Sequence, residues 1–78
     1  MEIGEAFGKV LRQKRKEAGL TQEQLSYEAD IQRNYVSLIE RGIHQLTIAV
    51  LFKLAHALNC PPSSMVSEVE SIMSTSSP

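Results

Sequence analysis

A chain of 78 residues, 42% of them apolar and with a net charge of −1 at pH 7, has room for one modest hydrophobic core. The charge argues against coating nucleic acid by bulk attraction, and the lone Cys60 excludes an intrachain disulfide and a cysteine-rich metal site. No apolar run approaches the roughly 18 residues that cross a bilayer, and MEIGEAFGK lacks the basic-then-apolar order of a secretion signal, so a cytoplasmic protein without membrane contact is expected.

Ile3, Phe7, Val10 and Leu11 recur at helical spacing and predict a first helix that stops at Ala18-Gly19. Thr21 then stands three residues before Gln24, the spacing of a reciprocal cap, so a second helix starts at Gln22. It runs to Glu28 or Ala29 with Leu25 and Ala29 inward. Asp30-Ile31-Gln32 is too short for a flexible linker and fits a tight turn in which Ile31 plugs the angle between two helices. A third helix spans Gln32 or Arg33 to Arg41, with Val36 and Ile39 inward, Tyr35 a further inward candidate, and Gly42 as its stop.

After a loop from Ile43 to Leu46, Thr47 caps a fourth helix whose stripe is Val50, Leu51, Leu54, Ala55 and Leu58. Pro61-Pro62 ends it and opens a fifth with Met65, Val66, Val69 and Ile72. Residues 1–73 therefore read as one all-α domain of five helices, and 74–78 as a flexible tail.

The charges are unevenly placed. Residues 9–46 carry seven cations against five acids, whereas both flanks are acidic, a pattern that fits binding to a polyanion through one face. Opposite Val36 and Ile39 on the third helix lie Arg33, Asn34, Ser37 and Arg41, with Gln32 at the entry. Arg grips guanine O6 and N7, Asn and Gln pair with adenine, and Ser serves either edge; by itself such a face is more often that of a solvated helix. The setting decides for base reading, because a short capped helix, a tight turn and a second short helix project a helix end into a major groove. Gln22, in the first turn of the second helix, then lies beside the backbone, where it holds a phosphate, serves its own cap, or does both.

Arg15 continues the stripe of Phe7 and Leu11, and Glu40 follows Val36 on the inner side of the third helix. Two opposite charges on inward stripes are expected to pair and fasten the first helix to the third, the alternative being that each long side chain reaches out to water.

The segments LTQEQLS at 20–26, RNYVSLIERG at 33–42 and LFKLAHALN at 51–59 resemble the Cro/CI-type (XRE) helix-turn-helix transcriptional regulators. The resemblance implies a five-helix, lambda-repressor-like DNA-binding domain, with a phosphate contact by Gln22 and base or backbone contacts by Gln32, Arg33, Asn34 and Ser37. It also implies the Arg15–Glu40 pair. Asp30 stands where such repressors commonly have glycine, and Asp tolerates the left-handed conformation better than most residues. Within the family, Arg33-x-Tyr35 and Glu40-Arg41 look like the controller proteins of bacterial restriction-modification systems, homodimers that activate and repress from palindromic operators. A phage-type repressor or an antitoxin with a protein partner carries nearly the same motifs.

Tyr35 and Arg41 complete the expected phosphate contacts together with His44 and Gln45, for whose loop the resemblance suggests such a contact, a merely solvent-exposed loop being the equal alternative. Met65, Val66, Val69, Ile72 and Met73 are either ordinary core or, since the preceding helices already provide one for so small a chain, a surplus apolar stripe at the seam of a homodimer, joined by Leu51 or Phe52; the seam is expected. Glu23 and Glu28 offer a surface for RNA polymerase, or are solvated helix charges. His44 and His56 are too isolated to ligate a metal, so neither metal nor cofactor is expected. No nucleophile with a base and no glycine-rich phosphate loop points to an enzyme.

Overall fold

The computed structural model describes residues 1–75 and contains, among them, five helices and no strand. These are α1 (Ile3–Glu17), α2 (Gln22–Ala29), α3 (Arg33–Glu40), α4 (Ile48–Ala57) and α5 (Pro62–Thr75). The sequence signals for their ends operate as expected. Thr21 Oγ1 accepts the Gln24 N–H at 3.0 Å while Gln24 Oε1 accepts the Thr21 N–H at 2.9 Å, and Thr47 Oγ1 accepts the Val50 N–H at 3.2 Å. Asp30 closes α2 in the left-handed region, with φ 56° and ψ 49°. The following Ile31 sends its N–H back to the Ser26 carbonyl and sets its side chain against the core.

Twelve buried apolar residues make the core, drawn from all five helices: Ala6, Phe7, Val10 and Leu11 of α1, Leu25 and Ala29 of α2, Val36 and Ile39 of α3, Leu54 and Ala55 of α4, and Met65 and Val69 of α5. The last two correct the sequence reading. Met65 is fully buried and Val69 only 7% exposed inside a single chain, so neither is available to a dimer seam. The short α2 and α3 cannot cover the long apolar face of α1, and α5 packs along α1 to finish it. A surface ion pair between Lys14 and Glu68 spans the same two helices. Two smaller departures concern the ends. Ile3 is 53% exposed although its spacing put it on the inner stripe, and α5 continues through Thr75, so Ser74 and Thr75 are helical rather than part of a tail. Residues 76–78 of that expected tail lie outside the described residues.

A contact with no signal in the apolar pattern sets the position of α3. At Gly8, in the middle of α1, a Cβ would lie 2.6 Å from the carbonyl oxygens of both Ile39 and Glu40. Only glycine lets α1 approach the end of α3 that closely, and backbone oxygens cannot swing aside as a flexible side chain does. The carboxyl end of the third helix is therefore seated on the first.

Candidate nucleic-acid interface

The helix-turn-helix consists of α2, the turn through Asp30, Ile31 and Gln32, and α3. Gln32 is the N-cap of α3, with extended backbone, and Gln32, Arg33 and Asn34 are all exposed where the helix begins. Ser37, one turn further on, is half-buried. Arg41 caps the carboxyl end and is exposed, and His44 and Gln45 are exposed in the loop that follows.

A shallow open groove gathers Gln32, Asn34, Tyr35, Leu38, His44 and Gln45. It joins two expected base-contact residues to three expected phosphate-contact residues, so the entry of α3 and the α3–α4 loop form one surface. Tyr35 and His44 meet edge to face across it, with ring centroids 6.0 Å apart at 86°. The loop is also held by backbone, since the Leu38 carbonyl accepts the N–H groups of Ile43 at 3.0 Å and His44 at 3.3 Å. Arg33, Ser37 and Arg41 lie outside this groove.

Behind the surface, α3 is clamped by a polar network. Arg15 donates from Nε to Glu40 Oε2 at 2.7 Å, from Nη2 to Glu40 Oε1 at 3.0 Å, and from Nη1 to the Leu20 carbonyl at 2.9 Å. The forked guanidinium thus matches the carboxylate with two bonds and also ties down the residue ahead of the α2 cap. The side chains are 12% and 3% exposed, so the pair is largely out of water. The hydrogen bonds that Arg15 donates to Glu40 hold the pKa of its guanidinium above the ordinary value, outweighing the opposing effect of burial.

Gln22 belongs to this network, which the sequence reading did not anticipate. Its Nε2 donates to Glu40 Oε1 at 3.1 Å, so one amide hydrogen is committed to the clamp. The second amide hydrogen remains for an outside acceptor. Gln22 is positioned by Glu40 at the first turn of α2 rather than by its own helix cap, which Gln24 supplies.

Two further residues escaped the sequence reading. Leu38, to which the sequence reading gave no role, lines the groove among polar neighbours one turn after Asn34. Ile48 is 74% exposed and, with Leu51, Phe52 and Val66, lines an apolar furrow between α4 and α5. Its place one turn before Phe52 on the same helix was the available signal. Of the expected seam residues, Phe52 is 57% and Val66 50% exposed, while Leu51 and Ile72 are half-buried. Among the described residues no group of three or more His, Cys, Asp or Glu side chains is placed to hold a metal ion, and no helix is long and apolar enough to cross a membrane.

Comparison with known proteins places this architecture. The profile of a helix-turn-helix family, HTH_3, matches residues 11–65. The control protein C.BamHI of Bacillus amyloliquefaciens is 34% identical over 61 residues, which cover 77% of this chain and 75% of that protein. The crystal structure of the restriction-modification controller protein C.AhdI from Aeromonas hydrophila superposes with a TM-score of 0.78 at 35% identity, covering 80% of this chain and 94% of that one. The clp gene regulator ClgR from Corynebacterium glutamicum gives a TM-score of 0.90 at 27% identity, covering 96% of this chain and 80% of that one.

Proposed function

The chain belongs to the helix-turn-helix family of DNA-binding transcription regulators, and from that premise we propose that it is a restriction-modification controller acting as a homodimer on a palindromic operator. The observation that carries the reading is the exposed Gln32-Arg33-Asn34 entry of α3 on a helix fixed from behind by Arg15, Glu40 and Gln22. Base edges are read by Gln32, Arg33, Asn34 and Ser37. Gln22, Tyr35, Arg41, His44 and Gln45 hold phosphates and set the register. The regulator works in the cytoplasm by occupancy, without chemistry on a substrate: at one site it recruits RNA polymerase, through the exposed Glu23 and Glu28 of α2, and at another it blocks access. The likeness to ClgR supports a second reading, a regulator of the same mechanism whose operator serves other genes.

Binding is tested with duplex DNA from upstream of the protein's own gene and a scrambled duplex of equal length, each titrated at two salt concentrations. Specific recognition predicts a preference of about a thousand-fold or more and an affinity that falls steeply with salt. Equal affinity for the two duplexes would overturn the reading.

The dimer seam is assigned to Ile48, Leu51, Phe52 and Val66, the apolar furrow that one chain leaves uncovered. A dimer that reads a palindrome needs its recognition helices about 34 Å apart, the repeat of successive major grooves on one side of DNA. Phe52→Glu puts a charge in that seam. It is expected to sediment as a monomer with its helical content intact and to bind operator at least ~10-fold more weakly. A dimeric Phe52→Glu protein with natural affinity would move the seam elsewhere.

A further inference from the structure

We infer that Leu38 is a specificity-determining residue that reads the C5 methyl group of a thymine, an inference that rests on α3 being the base-reading helix. Three observations converge on it. Leu38 lines the groove formed with Gln32, Asn34, Tyr35, His44 and Gln45, the one aliphatic side chain among polar and aromatic ones. It is half-buried, yet it belongs neither to the core nor to the partly buried residues packed against the core, so folding of the chain does not account for a leucine there. It also lies one helical turn after Asn34 on the same face, so whatever base edge Asn34 meets, Leu38 meets the neighbouring step.

The major groove offers one apolar group to such a side chain. Thymine presents its C5 methyl beside O4, whereas cytosine, adenine and guanine present only donors and acceptors there. Hydrogen-bonding neighbours make this contact selective. An unmethylated pyrimidine at that position leaves Leu38 against water or a cytosine amino group, while Gln32 and Asn34 still require their own bases. The Leu38 carbonyl anchors Ile43 and His44, so the loop that forms the other wall of the groove is fixed relative to this residue and holds the methyl between them.

The test modifies the DNA and leaves the protein unchanged. A high-affinity operator is selected from random duplexes, and each thymine of the half-site is replaced in turn by deoxyuridine, which removes the methyl and keeps every hydrogen-bonding group. Fluorescence anisotropy then reads the affinity. At one position, and its symmetry mate, the replacement is expected to weaken binding about 4-fold in one half-site and about 15-fold in both, the effect of losing one buried methyl at each. Leu38→Ala should bind thymine and deoxyuridine operators alike, and Asn34→Ala should retain the difference. Indifference of the natural protein to every deoxyuridine, selected half-sites with no preferred thymine, or a thymine preference unchanged in Leu38→Ala would each overturn the assignment while the DNA-reading role of α3 stands. Failure to select any preferred duplex would overturn both.

Discussion

Glu40→Ala is expected to destabilise the fold by about 3–5 kcal/mol, far more than a surface charge removal. The carboxylate accepts bonds from Arg15 Nε, Arg15 Nη2 and Gln22 Nε2, and it is itself only 3% exposed. Removing it leaves the guanidinium, 12% exposed, without a counter-charge and the Gln22 amide without its acceptor. For a domain of this size such a loss lowers the melting temperature by about 12 °C or more. Arg15→Ala should be damaging to a similar degree, because it strands the carboxylate. The double variant should lose much less than the two single losses added together, since each single variant includes the cost of the abandoned partner. Urea unfolding of the three variants provides the check. Single losses below about 1 kcal/mol, as for an exposed pair, would show that the clamp is not holding α3.

The clamp also accounts for how much of the molecule was legible in its sequence. Elements marked by short-range chemistry could be read: the Thr21–Gln24 cap, the Thr47 cap, and the inward Val36 and Ile39 follow from spacing within one or two turns, and the left-handed Asp30 from the family resemblance. The Arg15–Glu40 pair was legible because opposite charges on two apolar stripes have few inexpensive alternatives to meeting. What could not be read depends on how helices cross. Gly8 carries no apolar signal, yet its missing Cβ lets α1 rest on the last carbonyls of α3. Met65 and Val69 have the periodicity of any buried stripe, and periodicity does not tell a chain's own core from a seam with a second copy. Periodicity is equally silent on Leu38, an apolar residue that lines the open groove and is absent from the core. The phosphate role of Gln22 rests on its position in the first turn of α2 and on the family resemblance, neither of which signals its bond to Glu40.

The order of these dependencies explains the near-neutral charge. A protein that finds DNA by bulk attraction needs many exposed cations, whereas this chain commits Arg15 to the interior and keeps Arg33 and Arg41 exposed at the two ends of α3. Affinity for any duplex should then be modest, and discrimination should rest on a few side chains held in fixed register.

On the proposed reading, Arg33 is the residue on which that discrimination should weigh most. It is exposed at the first position of α3 and lies outside the ring-lined groove, so its guanidinium is free of the loop and the core. A bidentate contact to guanine is worth about 1–3 kcal/mol of discrimination, and a symmetric dimer makes it twice. Arg33→Ala should therefore weaken operator binding by roughly 30-fold or more, with unfolding unchanged because no core contact is lost. Binding to a scrambled duplex should fall only a few-fold, the effect of one fewer cation near the phosphates. The decisive quantity is the ratio of the two affinities at a single salt concentration, measured for the natural protein and for Arg33→Ala. A ratio that collapses by at least ~10-fold in the variant is the predicted result; a ratio that stays the same would contradict the claim that this face of α3 reads sequence.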